Sequence, residues 1–228
     1  MSLYVILFIG VILMSALMSW QVKRYYKQYW KGIIVAVLLV ITGVIGSYLW
    51  FYLENGTFGG RSFYGAVFFA PILFLPASKI LRMKYLDVMD LIAPAGCITL
   101  ALVKVQCIKD RCCMGKVLFI NADDIVVRFP SQIAEMIVFF VIAAILIWML
   151  TKPRCRSMVF PWFLVLYGST RFVLDFFRDV QSPYAIGLSA GSFWSLCAIL
   201  LGVAWFAVLY LQKNFGENNN ERKQRSKN

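Results

Sequence analysis

The chain has 228 residues, of which 61% are hydrophobic and 15% charged, and its mean hydropathy is +0.74; soluble domains carry about 45–50% apolar and about 25% charged residues, so a water-facing surface is excluded. The net charge of +12 raises nucleic acid as a partner, but the basic residues stand in short stretches between apolar runs, where they set membrane topology, and no nucleic acid is expected. Histidine is absent, which removes the usual proton shuttle and the commonest metal ligand.

The opening run, MSLYVILFIGVILMSALMSW, has no Lys or Arg ahead of its apolar stretch and no A-x-A site after it. It reads as a first membrane helix rather than a cleaved signal. A bilayer span takes about 20 apolar residues, and on that measure helices are predicted at 2–20, 33–53, 63–78, 88–104, 134–151, 157–177 and 190–212. The fourth and sixth are interrupted by charge. The fold class expected is all-α, a polytopic membrane protein with about seven transmembrane helices. Residues 1–212 form one domain with outer-face loops at 54–62, 105–133 and 178–189, and the basic tail 213–228 is expected to be disordered.

Charge orients the spans. With the N-terminus outside, Lys23, Arg24, Lys27 and Lys31 fall in the first inner loop, Lys79, Arg82 and Lys84 in the second, and Lys152, Arg154 and Arg156 in the third. The tail adds Lys213, Arg222, Lys223, Arg225 and Lys227, so 15 of 23 basic residues lie inside against four acids. Eight basic residues and seven acids remain outside, which supports N-out, C-in and an odd helix count.

The outer segments concentrate polar groups. Gly59-Gly60-Arg61-Ser62-Phe63-Tyr64-Gly65 opens the third helix. Lys104 to Pro130 includes Cys107, Lys109, Arg111, Cys112, Cys113 and Lys116, and the fifth helix opens with Glu135. Arg171, Asp175 and Arg178 recur at helical spacing, so they share one face. Intramembrane charge is expensive and usually faces a cavity or a partner, and guanidinium forks match phosphate oxygens. A blander reading stands beside this one. Arg171–Asp175 could be an ion pair that locks the bundle, Arg61, Lys109 and Lys116 headgroup anchors, and Gly59-Gly60 a tight turn. Cys107, Cys112 and Cys113 admit a disulfide, packing thiols or a reactive thiol; C-x4-C-C without histidine is not a standard metal pattern.

These residues resemble the bacterial prolipoprotein diacylglyceryl transferase family. Gly59-Gly60-Arg61-Ser62-Phe63-Tyr64-Gly65 is similar to its G-G-x-x-F-[HY]-G-G segment, and Asp90-x-x-Ala93-Pro94 to its D-x-x-A-P. Cys107 through Lys116 resembles C-F-x-x-G-C-C-Y-G-[RK], and Pro130 through Glu135 resembles P-T-Q-L-Y-E. Arg171-Phe172-x-x-Asp175-x-x-Arg178 is similar to R-F-x-x-E-x-x-R, and Gly187-Leu188-Ser189-x-Gly191-Ser192 to G-L-S-x-G-Q. The matches keep the family's order. Its usual G-R-x-G reads Val103-Lys104-Val105-Gln106 here, and its second glycine after the aromatic is Ala66.

The resemblance implies transfer of diacylglycerol from phosphatidylglycerol, or another anionic phospholipid, to the lipobox cysteine of a prolipoprotein signal peptide. The reaction would take place at the outer leaflet of the bacterial cell (inner) membrane. It implies that Arg171 and Arg178 hold the phosphate, Asp175 or Glu135 orients them, Tyr64 stands near the reacting centre, and Lys104 replaces an arginine. Arg61, Gly60, Arg111, Lys116 and Glu135 are the expected lipid contacts. No cofactor and no metal is expected, and Arg171→Ala is expected to abolish transfer while leaving the folded yield intact. The alternatives left open are another acceptor on the same scaffold, or a catalytically silent lipid-binding membrane subunit.

Overall fold

Apolar runs with no water to satisfy their backbone must close their hydrogen bonds within the segment, which makes helices. The computed structural model describes residues 3–57, 59–60, 62–120, 126–179 and 184–225. Among them the chain forms seven α-helices: α1 Leu3–Tyr26, α2 Trp30–Asn55, α3 Phe63–Ile80, α4 Tyr85–Lys109, α5 Ser131–Leu150, α6 Val159–Asp175 and α7 Ala190–Arg225. Five of these, α2, α3, α4, α5 and the Ala190–Gln212 part of α7, are long and apolar enough to cross a membrane. Of the other two, α1 has an uncharged apolar stretch before Lys23 and Arg24 in its last turn, and α6 is 17 residues long with Arg171 near its end.

Two features depart from the expectation. Residues 105–133 hold a two-stranded antiparallel ribbon, β1 Val117–Ile120 and β2 Val126–Arg128, in a chain read as all-α. The last helix also runs past 212 to Arg225, where disorder was expected. Extending an existing helix avoids the cost of a new nucleus, which offsets the weak helix formers Gly216, Asn218, Asn219 and Asn220 ahead of the Glu, Arg, Lys and Gln that follow.

Helix α4 is the hub. It packs against α1, α2, α3, α5 and α6, and it buries Val88, Met89, Ile92, Ala95, Cys97 and Ala101 among others. The periphery is apolar as well: Ile45, Leu53, Ile72, Trp148 and Leu200 are each more than half exposed. An interior and a perimeter that are both apolar suit lipid as the outer solvent. Small residues allow the closest crossings. A Cβ on Gly65 of α3 would lie 1.9 Å from the carbonyl oxygen of Gly46 on α2.

The helices alternate between two ends. At one end, which carries the basic connections, Arg24 of α1 donates to Thr151 O at 3.3 Å. Nearby, Asp87 of α4 accepts from Tyr26 Oη at 2.5 Å and from Arg156 Nε at 2.7 Å. Asp90 accepts from the backbone N–H groups of Ser157 at 2.6 Å and Phe160 at 3.0 Å, which caps the start of α6. The opposite end gathers the start of α3, the end of α4, the start of α5, the end of α6 and the start of α7.

Candidate active site

Glu135 lies one turn into α5 and is 1% exposed, a position no carboxylate holds without counter-charge. Its two oxygens are shared. Oε2 meets Lys104 Nζ of α4 at 2.6 Å, and Oε1 accepts from Arg171 Nη1 of α6 at 2.8 Å. Arg178 Nε stands 3.7 Å from the same Oε1. One buried acid therefore joins three segments.

Asp175 ends α6 and is also buried. Its Oδ1 lies 3.7 Å from Arg171 Nη2 and 3.5 Å from Arg178 Nη1. Its Oδ2 accepts from the hydroxyls of Ser189 and Ser192, the latter at 2.9 Å. Ser189 in turn caps α7, its Oγ accepting the N–H of Ser192 at 3.0 Å. Gly191 admits this approach, because a Cβ there would lie 2.7 Å from Asp175 Oδ1. The carboxylate thus sits against the positive end of a long helix.

Among the described residues the acids that pair with Lys104, Arg171 and Arg178 are Glu135 and Asp175, so this cluster keeps one positive charge in excess. Two of its buried atoms, Arg178 Nε and Asp175 Oδ1, make no hydrogen bond among the described residues. Separations of 3.5–3.7 Å are too long for one. Polar atoms left open at such depth are where a ligand oxygen would gain most. A guanidinium with free N–H groups beside an excess cation can hold a phosphate.

The loop after α4 braces this arrangement. Arg178 forms an isolated antiparallel bridge with Gly115, and Lys116 N–H bonds to Phe177 O at 2.9 Å. Arg128 pairs with Asp179 at 2.7 Å. Ser131 Oγ, at the start of α5, donates to Cys113 O at 2.6 Å, and Gln132 Nε2 to Cys112 O at 2.7 Å. All six cysteines are free thiols. The Cys113 thiol is pushed down to about 6, first by a hydrogen bond from Cys107 and then by Lys104, against the opposing effect of burial.

Of the residues expected from the sequence, the structure brings together Lys104, Glu135, Arg171, Asp175 and Arg178. The helical face proposed for three of them holds although α6 stops at Asp175 and Arg178 lies in the turn beyond it. Tyr64 bonds elsewhere: its hydroxyl donates to Gly191 O at 2.8 Å and lies 2.8 Å from Ser195 Oγ, pinning α3 to α7 beside Arg171. Gly60 presses its backbone against the ring of Phe51, where a Cβ would sit at 2.6 Å. Arg111 is exposed in the turn after α4, and Lys116 is exposed with its backbone tied to Phe177. Arg61 lies outside the described residues. Ser189, Ser192 and Ser195 were missed as site residues. The signal for the first was a serine directly before an apolar run, the ordinary mark of a helix start.

The expectation for Arg171→Ala needs revising. Its side chain is 12% exposed and shared between Glu135 and Asp175, so the substitution removes one counter-charge from each of two buried carboxylates, which keep Lys104 and the serine hydroxyls, and lowers stability as well.

Comparison with known proteins gives the family. The chain is 27% identical to the phosphatidylglycerol–prolipoprotein diacylglyceryl transferase of Teredinibacter turnerae, over 90% of this chain and 83% of that one. It is 26% identical to that of Mannheimia succiniciproducens, over 88% and 81%, and 30% identical to that of Methylobacillus flagellatus, over 68% and 63%. The family model described as prolipoprotein diacylglyceryl transferase matches residues 2–208. The match takes in every residue of the buried cluster, and the chain belongs to the prolipoprotein diacylglyceryl transferase family.

Proposed function

We propose that the protein transfers a diacylglyceryl group from phosphatidylglycerol, or another anionic phospholipid, to the cysteine thiol of a prolipoprotein signal peptide. On this reading all seven helices cross the bacterial cell (inner) membrane, N-terminus outside, with the Glu135 cluster at the outer leaflet. The observation that carries it is the excess cation in a buried cluster with an unbonded Arg178 Nε.

The peptide's thiolate attacks the glyceryl carbon that bears the phosphate. A sulfur–carbon bond forms, the carbon–oxygen bond breaks, and its electron pair leaves with the phosphate as glycerol phosphate. Charge grows on that oxygen, so donors fixed in advance serve the transition state more than the ground state. Arg178 and Arg171 take the phosphate oxygens, Glu135 and Asp175 fix the two guanidinium planes, and Lys104 completes the positive field. Tyr64 is the aromatic group near the reacting centre, and Gly60, Arg61, Arg111 and Lys116 are the lipid contacts that the motifs imply.

Purified protein would be given labelled phosphatidylglycerol and a lipobox peptide. Wild-type transfer with an Arg178→Ala loss of about 10²–10³ in rate, the effect of removing one preorganised donor, supports the reading. Arg178→Lys keeps the charge without the fork and recovers only part. Full activity in Arg178→Ala would remove the phosphate role. Lipid binding without turnover would favour a silent subunit, and transfer to a different acceptor would redirect the reading.

A further inference from the structure

The loop between α4 and α5 holds a second arrangement that the transfer chemistry does not use. Cys107 lies in the last turns of α4, and the chain then reverses through Arg111 (φ 50°) and Cys113 (φ 56°). Residues with a Cβ rarely adopt that left-handed conformation, and it persists only where surroundings enforce it. Here the surroundings are specific. Cys112 N–H returns to Cys107 O at 3.1 Å, and Ser131 and Gln132 hold the carbonyls of Cys113 and Cys112. The result is three sulfurs, those of Cys107, Cys112 and Cys113, all within 4.8 Å of one another.

From this juxtaposition we propose that Cys107, Cys112 and Cys113 form a binding site for a soft, thiophilic cation of low coordination number. Thiolates select soft ions over Mg²⁺ or Ca²⁺. Among the described residues no fourth Cys, Asp or Glu joins the group, and the chain has no histidine. The set therefore falls one protein ligand short of a closed tetrahedral zinc site and suits a three-coordinate ion. Cys112 is exposed and the other two are partly so, which gives an ion a way in. Binding forms metal–sulfur bonds, and each thiol still protonated releases its proton to solvent. Lys104, one turn before Cys107 on the same helix, supplies positive charge beside the anionic thiolates. A seated ion would cross-link the end of α4 to the loop that Ser131 and Gln132 hold, one turn from Glu135.

The test uses the full-length protein in detergent micelles, reduced and then freed of reductant, with Cd²⁺ as probe and Mg²⁺ as hard control. The expected result is one Cd²⁺ per chain, sulfur-to-cadmium charge-transfer absorption, and three of the six thiols protected from a thiol reagent. Cys112→Ser removes an exposed ligand without touching the core, and its Cd²⁺ affinity should fall by at least the roughly 100-fold upper cost of losing a mere outer-shell partner. Cys197→Ser, on α7, should bind as wild type does. Absence of stoichiometric binding by fully reduced protein, or equal affinity in C112S, overturns the proposal. So does an intact mass two hydrogens short in protein isolated without reductant, with the missing pair mapped to a disulfide within this cluster. Transfer activity is not read in any arm, so the proposal fails or stands apart from the phosphate role of Arg178.

Discussion

Replacing Glu135 by Gln removes the one acid that touches all three cations of the cluster. Its contacts with Lys104 and Arg171 are 2.6 and 2.8 Å long. At an effective dielectric of about 20, each carries about 6 kcal/mol of Coulomb attraction. Desolvation, at several kcal/mol per ion, cancels most of that in the intact cluster. In E135Q the desolvation of the cations remains and the attraction is gone. Stripping one partner from a buried pair costs about 3–5 kcal/mol, and for a chain of this size each kcal/mol shifts Tm by about 2–4 °C. The expected drop is about 6–20 °C, read as loss of the monodisperse micellar species on heating. The double variant K104M/E135Q removes a stranded ammonium and should regain part of it. Melting of E135Q within about 2 °C of wild type would show that the cluster is hydrated and weakly coupled, and would refute the reasoning.

Four further substitutions separate site from scaffold. Gly65→Ala should cost at least the 1–3 kcal/mol typical of overpacking, because its Cβ meets the Gly46 carbonyl, whereas Gly43→Ala, with nothing within 4 Å, should leave the folded yield unchanged; equal yields would contradict the close α2–α3 crossing. Ser189→Ala removes both a donor to Asp175 and the α7 cap, so it should cost about 1 kcal/mol of stability and lower transfer further than that loss explains, measured as kcat at a temperature where the variant is fully folded. Asp90→Ala, at the opposite end, uncaps α6 and should cost about 0.5–2 kcal/mol with transfer per folded molecule unchanged; a selective loss of activity would place Asp90 in the chemistry instead.

The parts of this structure that could be read from the sequence are those for which lipid leaves no choice. Seven apolar runs became seven helices because an unpaired backbone has no partner in hydrocarbon, and the observed starts and ends lie within about six residues of the expected ones except at the tail. Lys104, Glu135, Arg171 and Asp175 were legible for the same reason, since a charge inside an apolar run demands an explanation. Ser189 and Ser192 were not. A serine before a helix is commonplace, and these matter only because α6 ends against the start of α7. The ribbon of β1 and β2 was hidden by a short alternation inside a loop. The meeting of three sulfurs depends on two left-handed residues that no spacing announces. Gly60 shows a constraint that its motif does not announce: the ring of Phe51 leaves no room for a Cβ there.

Both ends of the bundle bury a pair of carboxylates, and the contrast between the two pairs supports the proposed placing of the chemistry at the Glu135 end. At the basic end the acids are saturated. Asp90 takes two backbone N–H groups, and Asp87 takes the Arg156 fork at 2.7 and 2.5 Å together with the Tyr26 hydroxyl. Nothing in that set calls for a further anion. At the other end, among the described residues, Asp175 keeps an oxygen unbonded, Arg178 keeps a buried N–H unbonded, and the cations of the buried cluster outnumber its acids. A cluster built only to lock helices together would close its hydrogen bonds, because each open one costs about 1–3 kcal/mol at this depth. One extra negative charge with oxygens of its own, which a phosphate headgroup supplies, completes the site-end cluster and would only crowd the other.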